Sequence, residues 1–148
     1  MPGEFLDFLA IYPYLLPKAI VVFHDVNLNF IRTKMDSSIK NIRNNSLCIA
    51  TKALFCIIGG KKFFGLANGT NSKLFNIAAV QIDERTKSSI QSVFFGTQFT
   101  WAYSLDNDML DEYRKIYSKY YDLDCLSLFD SAVKYNAVSL GICNSLYV

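Results

Sequence analysis

Pro13-Tyr14-Leu15-Leu16-Pro17-Lys18-Ala19-Ile20-Val21-Val22-Phe23-His24-Asp25 reads as the end of a helix, a tight turn and a strand with two polar groups at its carboxyl end. The run from Ala19 to Phe23 is apolar without alternation, the pattern of a strand covered on both faces, although a run this short also suits a buried helix segment. A doubly covered strand needs parallel neighbours, and little chain precedes this one. The expectation is therefore an α/β fold of which the chain carries the back half, with a functional crevice at the strand's carboxyl end, where open sheets bind their ligands.

Working outward, Gly3 to Leu16 reads as a helix with Glu4 and Asp7 in its first turn and a break at Pro13, whose missing amide cannot bond back to Leu9. Residues 27–45 are polar and aperiodic, a long loop over the strand end. Ser46 then offers an N-cap; Leu47, Ala50, Leu54 and Ile57 recur at helical spacing, and Gly59-Gly60 supplies a left-handed stop. Lys61 to Leu66 and Asn76 to Ile82 read as strands around the turn-rich residues 68–72, most economically an antiparallel hairpin. Asp83, Asp106 and Asp124 are candidate caps for three further helices, the last stopped by Gly141. Leu110, Tyr113, Tyr117 and Tyr120 mark the packed face of the second of these.

Composition narrows the function classes. Of 148 residues, 51% are apolar and 19% charged, which excludes a disordered chain. The net charge of +2 arises from 15 basic and 13 acidic residues scattered along the chain, giving no reason to invoke nucleic acid or an anionic membrane as partner. No stretch approaches the roughly 20 apolar residues of a membrane span and no signal peptide is indicated, so the expected location is cytosolic. Cys48, Cys56, Cys125 and Cys143 lack metal-site spacing and read as structural thiols, with Cys48 and Cys56 in one apolar helical pattern. No Gly-x-Ser-x-Gly, Walker loop or Gly-x-Gly-x-x-Gly is present.

The candidate site residues are His24 and Asp25. Asp25 is suited to a hard cation and His24 to base chemistry near neutral pH, while the bland alternatives are a loop-capping carboxylate and a hydrogen-bonded packing histidine.

Asp7-Phe8-Leu9, Pro13-Tyr14-Leu15, Pro17-Lys18-Ala19 and Ile20 to Asp25 together resemble a stretch of class I S-adenosylmethionine-dependent methyltransferases, closest in pattern to metal-dependent O-methyltransferases of the macrocin and cephalosporin-hydroxylase type. That stretch runs Asp-Leu, Pro-Leu, Pro-Gly-Gly and then a strand ending His-Asp, followed by a helix and two antiparallel strands. The resemblance covers residues 2–83. It implies a Rossmann-like fold whose carboxyl-terminal half is present here, S-adenosylmethionine and a divalent cation such as Mg²⁺ as cofactors, Asp25 as metal ligand and His24 as the histidine of the same turn. It further implies O-methylation of a sugar or small-metabolite hydroxyl. Lys18-Ala19 stands where the family has Gly-Gly, and the family's glycine-rich loop, ribose-binding acid and fourth-strand carboxylates correspond to positions upstream of Met1.

The expected organisation is thus one partial domain over residues 1–148, with an α/β portion over 2–83 and a helical extension over 84–148. It is expected to be inactive as an isolated chain. Its bare strand edge should lead it to self-associate or to bind a complementing chain. The rival expectation, from a different class, is a non-catalytic interaction module built on the same fold.

Overall fold

The protein, as a computed structural model, is described over residues 3–24, 26, 49–65, 77–99, 101 and 105–139. Over these residues it is an α/β chain of five α-helices and a three-stranded antiparallel sheet. In order the elements are α1 (Gly3–Ile11), a 3-10 turn (Tyr12–Tyr14), β1 (Ile20–His24), α2 (Ile49–Ile57), β2 (Lys61–Phe64), β3 (Ile77–Gln81), α3 (Glu84–Gly96), α4 (Asn107–Tyr120) and α5 (Leu123–Ser139). They fall into two compact units, Leu15–Ser89 and the pairing of Met1–Tyr14 with Ile90–Val148.

The sheet unit starts from a turn. Leu16 accepts a hydrogen bond from the Ala19 amide at 3.0 Å, with Pro17 and Lys18 between them and Lys18 at φ +69°. Proline second and a left-handed residue third is type II geometry, in which glycine is the usual third residue. The strand that follows pairs antiparallel with β3, Ile20 opposite Gln81 through His24 opposite Ile77. The other edge of β3 pairs antiparallel with β2, Lys61 opposite Gln81 through Phe64 opposite Ala78, so the order is β1-β3-β2. The three expected strands and the antiparallel pairing of the last two are therefore present, β2 and β3 trimmed by a residue or two at their ends and β1 shifted one residue toward His24. The connecting turn at 68–72 lies outside the described residues.

Helix α2 covers one face of this sheet. Phe55 sits edge-on between Phe23 and Phe64, with centroids at 5.8 and 5.5 Å, and Ala50, Leu54 and Ile58 are buried beside it. Lys62 spans the Phe55 ring at 5.0 Å and its ammonium donates to the Cys56 carbonyl at 3.0 Å, occupying an acceptor at the helix end. Gly60, at φ +130°, makes the exit that only glycine makes without strain; a Cβ there would lie 2.6 Å from the Gln81 carbonyl oxygen. The start of α3 locks onto this corner. Thr86 Oγ1 accepts from the Asp83 amide at 3.1 Å and donates to the Gly59 carbonyl at 2.8 Å, while Asp83 caps the helix by accepting the Arg85 amide at 2.8 Å.

The helical unit is organised around Tyr117. Its ring meets Phe94 at 5.3 Å and Phe129 at 5.1 Å, both edge-on, and its buried hydroxyl donates to the Leu6 carbonyl at 2.8 Å. Phe5, Leu6, Phe8 and Leu9 present the buried face of α1, and Gly96 lets the Phe5 ring lie against the α3 backbone. Tyr121 ties Leu9 through a second hydroxyl-to-carbonyl bond of 2.6 Å. Asn136, also buried, accepts from the Trp101 amide at 2.8 Å and donates to the Ala132 carbonyl at 2.9 Å, satisfying both ends of its amide.

Two local expectations are corrected. The cap of α5 is Asp122, which accepts the Cys125 amide at 2.9 Å, and Asp124 falls inside the first turn. The tyrosine face of α4 is packed only in part: Tyr117 is buried, Tyr113 half-buried and Tyr120 exposed. Asp106 does cap α4, accepting the Met109 amide at 2.8 Å. Ser46 and Gly141 lie outside the described residues.

Candidate functional site

The candidate site is the carboxyl end of β1 together with the sheet face and edge that lead to it. Strand geometry sends alternate side chains to opposite faces, and paired residues of neighbouring strands share a face. Val21 and Phe23 therefore side with Val80, Ala78, Lys62 and Phe64 toward α2. Ile20, Val22 and His24 side with Gln81, Ala79, Ile77, Lys61 and Phe63 on the opposite face. Lys61 lies over the Phe63 ring at 5.2 Å, as this assignment requires.

On that opposite face the described large apolar side chains are exposed. Ile20 is 58% exposed, Val22 64%, Ile77 49% and Phe63 38%. The expectation of a strand covered on both faces is thereby overturned. The reason is topological: an antiparallel sheet tolerates one solvated face, whereas the parallel arrangement inferred from the apolar run does not. The sequence carried no signal for this: β2 gives each face one lysine and one phenylalanine, Lys61 and Phe63 on the open side and Lys62 and Phe64 on the α2 side, and the run in β1 is uninterrupted.

The edge of β1 away from β3 has no neighbouring strand among the described residues. Ile82 donates its amide to the Ala19 carbonyl at 2.8 Å. Antiparallel alternation then directs the Ala19 carbonyl and the backbone groups of Val21 and Phe23 toward β3 and those of Ile20 and Val22 toward the open side.

His24 ends β1, exposed, on the open face and opposite Ile77. Asp25 and the loop at 27–45 lie outside the described residues. Among the described residues no group of three or more His, Cys, Asp or Glu side chains converges to hold a metal ion. The described residues thus do not by themselves form a Mg²⁺ site, which needs carboxylate oxygens in octahedral array.

The titratable groups elsewhere are tuned for packing. Burial pushes the Tyr117 and Tyr121 phenols well above their ordinary range. The same cause, reinforced by the Asp122 carboxylate, pushes the Cys125 thiol up to about 12, which removes it as a nucleophile. Cys56, expected in the apolar pattern of its helix, is instead exposed, because it falls on the side of α2 opposite the sheet. Arg85 bonded to Asp83 holds that carboxyl below its usual range, a feature of the α3 cap. Among the described residues no helix is long and apolar enough to cross a membrane.

Among the described residues the sheet order, the unpaired edge of β1 and the exposed apolar face therefore stand as the site's defining features. In comparison with known proteins, no family model, no curated protein and no solved structure matches the chain.

Proposed function

We propose that residues 2–83 are the acceptor-side part of a class I S-adenosylmethionine-dependent methyltransferase fold, whose reaction is O-methylation of a sugar or small-metabolite hydroxyl. The observation that carries this reading is the β1-β3-β2 order, with β3 antiparallel to both neighbours and β1 ending at His24. It is the order that the resemblance implies for a strand followed by a helix and two antiparallel strands. On this reading the described residues are not catalytic alone. Cofactor-side strands must pair along the open edge of β1, whether they belong to the same polypeptide or to another chain. His24 would then stand at the mouth of the crevice that such pairing creates, and Asp25, the next residue, takes its metal role from the resemblance alone.

Calorimetric titration of the 148-residue chain with S-adenosylmethionine tests this division. No binding is expected from the chain alone, and binding is expected once a segment carrying a strand, a glycine-rich loop and a helix is co-expressed from the adjoining reading frame. Tight binding by the chain alone would place cofactor contacts within these residues and overturn the reading.

A second reading, a non-catalytic interaction module derived from this fold, is favoured by the open apolar face of Ile20, Val22, Phe63 and Ile77. Exposed apolar patches rimmed by polar groups mark association surfaces.

A further inference from the structure

Tyrosine rings meet one another in the helical unit, and most of these contacts are closed to chemistry. Among the described residues, Tyr113 and Tyr117 lie with centroids at 5.8 Å, and Tyr117 and Tyr121 at 5.9 Å. Their hydroxyls are committed elsewhere: Tyr117, which is buried, donates to the Leu6 carbonyl, Tyr121 to the Leu9 carbonyl and Tyr113 to the Asp7 carboxylate at 2.7 Å.

Tyr14 and Tyr120 differ in each respect. They join the 3-10 turn after α1 to the end of α4, both are exposed, and their rings meet edge-on with centroids at 5.2 Å and planes at 72°. The Tyr14 hydroxyl donates to the Tyr120 oxygen. The Lys119 ammonium, 5.0 Å from the centre of the Tyr120 ring, donates to the same oxygen. Those two donors, Tyr14 first, hold the Tyr120 phenol below its ordinary range, while the bond it donates holds Tyr14 above. A phenol that yields its proton more readily also yields an electron more readily, because the charge left on the oxygen is what an oxidant removes.

We propose that Tyr14 and Tyr120 form an oxidative cross-linking site, at which a haem peroxidase acting with hydrogen peroxide couples the two rings into dityrosine. Each phenol loses one electron and one proton. The two phenoxyl radicals join through a bond between their Cε carbons, ortho to the hydroxyls, and the ring hydrogens displaced there move to the oxygens as both rings regain aromaticity. Peroxide takes the two electrons and two protons and leaves as two waters. Carbons ortho to two hydrogen-bonded oxygens are already neighbours, so the second radical need not diffuse to find the first. The new bond closes a long covalent loop and restricts the unfolded chain as a disulfide does. The site lies wholly within the helical unit and is independent of the function proposed above.

Treatment of the full chain with a haem peroxidase and hydrogen peroxide, after alkylation of the exposed Cys56 thiol so that it consumes no oxidant, tests the assignment. The expected product is a monomer lighter by two hydrogen atoms, with dityrosine fluorescence and a peptide that joins residues 14 and 120 in tandem mass spectrometry. Tyr14→Phe and Tyr120→Phe should each lose that product. Tyr135→Phe, at an exposed tyrosine outside these ring contacts, should keep it. The peptide mapped from the wild type stands even if a variant misfolds. The cross-linked chain should also unfold at a higher temperature than the untreated one. Absence of dityrosine, cross-links mapped chiefly to other tyrosines, or products that join two chains overturn the proposal. So does a thermal midpoint that fails to rise, which would mean that the rings had to leave their native contact to react.

Discussion

Lys18 shows how a single residue departs from what its turn demands. At φ +69° it occupies the left-handed region, which costs an L-residue about 1–2 kcal/mol, and its side chain is exposed. Glycine there would remove that cost but lose about 0.5–1 kcal/mol to the greater freedom of the unfolded chain. Lys18→Gly is therefore expected to stabilise the protein by up to about 1 kcal/mol, read as a raised midpoint in urea unfolding; a lowered midpoint would mean that the Lys18 side chain makes a contact that outweighs the turn strain. The position coincides with one of the glycines of the family pattern, so the preference was visible in the sequence as a departure from Gly-Gly. What the sequence withheld was which of Lys18 and Ala19 takes the left-handed conformation.

At the level of elements, the corner joining α2 to β2 is the least tolerant part of the sheet unit. Gly60 combines a φ of +130° with a close approach to the Gln81 carbonyl and the Val80 side chain. Gly60→Ala should destabilise by more than about 2 kcal/mol through strain and steric overlap together. Thermal unfolding followed by circular dichroism measures it, and a loss under about 0.5 kcal/mol would show that the corner relaxes. The Gly59-Gly60 stop, the Asp83 and Asp106 caps and the three strands were all legible, since each depends on local backbone chemistry. The cap of α5 was misplaced by two residues because Asp122 and Asp124 satisfy the same pattern, and only the bond to the Cys125 amide chooses between them. The coverage of β1 was misread for a different reason: an apolar run reports that its side chains favour burial, and says nothing about whether a covering element exists.

For the whole molecule the critical feature is the edge of β1 that has no neighbouring strand among the described residues. A dilute sample should exchange the Ile20 and Val22 amides at rates typical of exposed groups while the Val21 and Phe23 amides, bonded to β3, exchange slowly. Slow exchange at all four positions in a monomer at tens of micromolar would show that the edge is covered by this chain's own elements, and the partial-domain reading would fall with it. Each backbone bond restored by an incoming strand contributes only about 0.5–1.5 kcal/mol, so stable capture needs several such bonds together with burial of Ile20 and Val22.

By itself the sequence determined the strands, the antiparallel pairing of β2 with β3, most of the helix boundaries and the placing of His24 at a strand end, because periodicity, turn residues and caps act over a few neighbouring positions. Only the tertiary structure decided that His24 shares an exposed face with Ile20, Val22, Phe63 and Ile77. That depends on which distant segments fold together: burial is a property of a surface, and the surface exists only once the chain has chosen its neighbours.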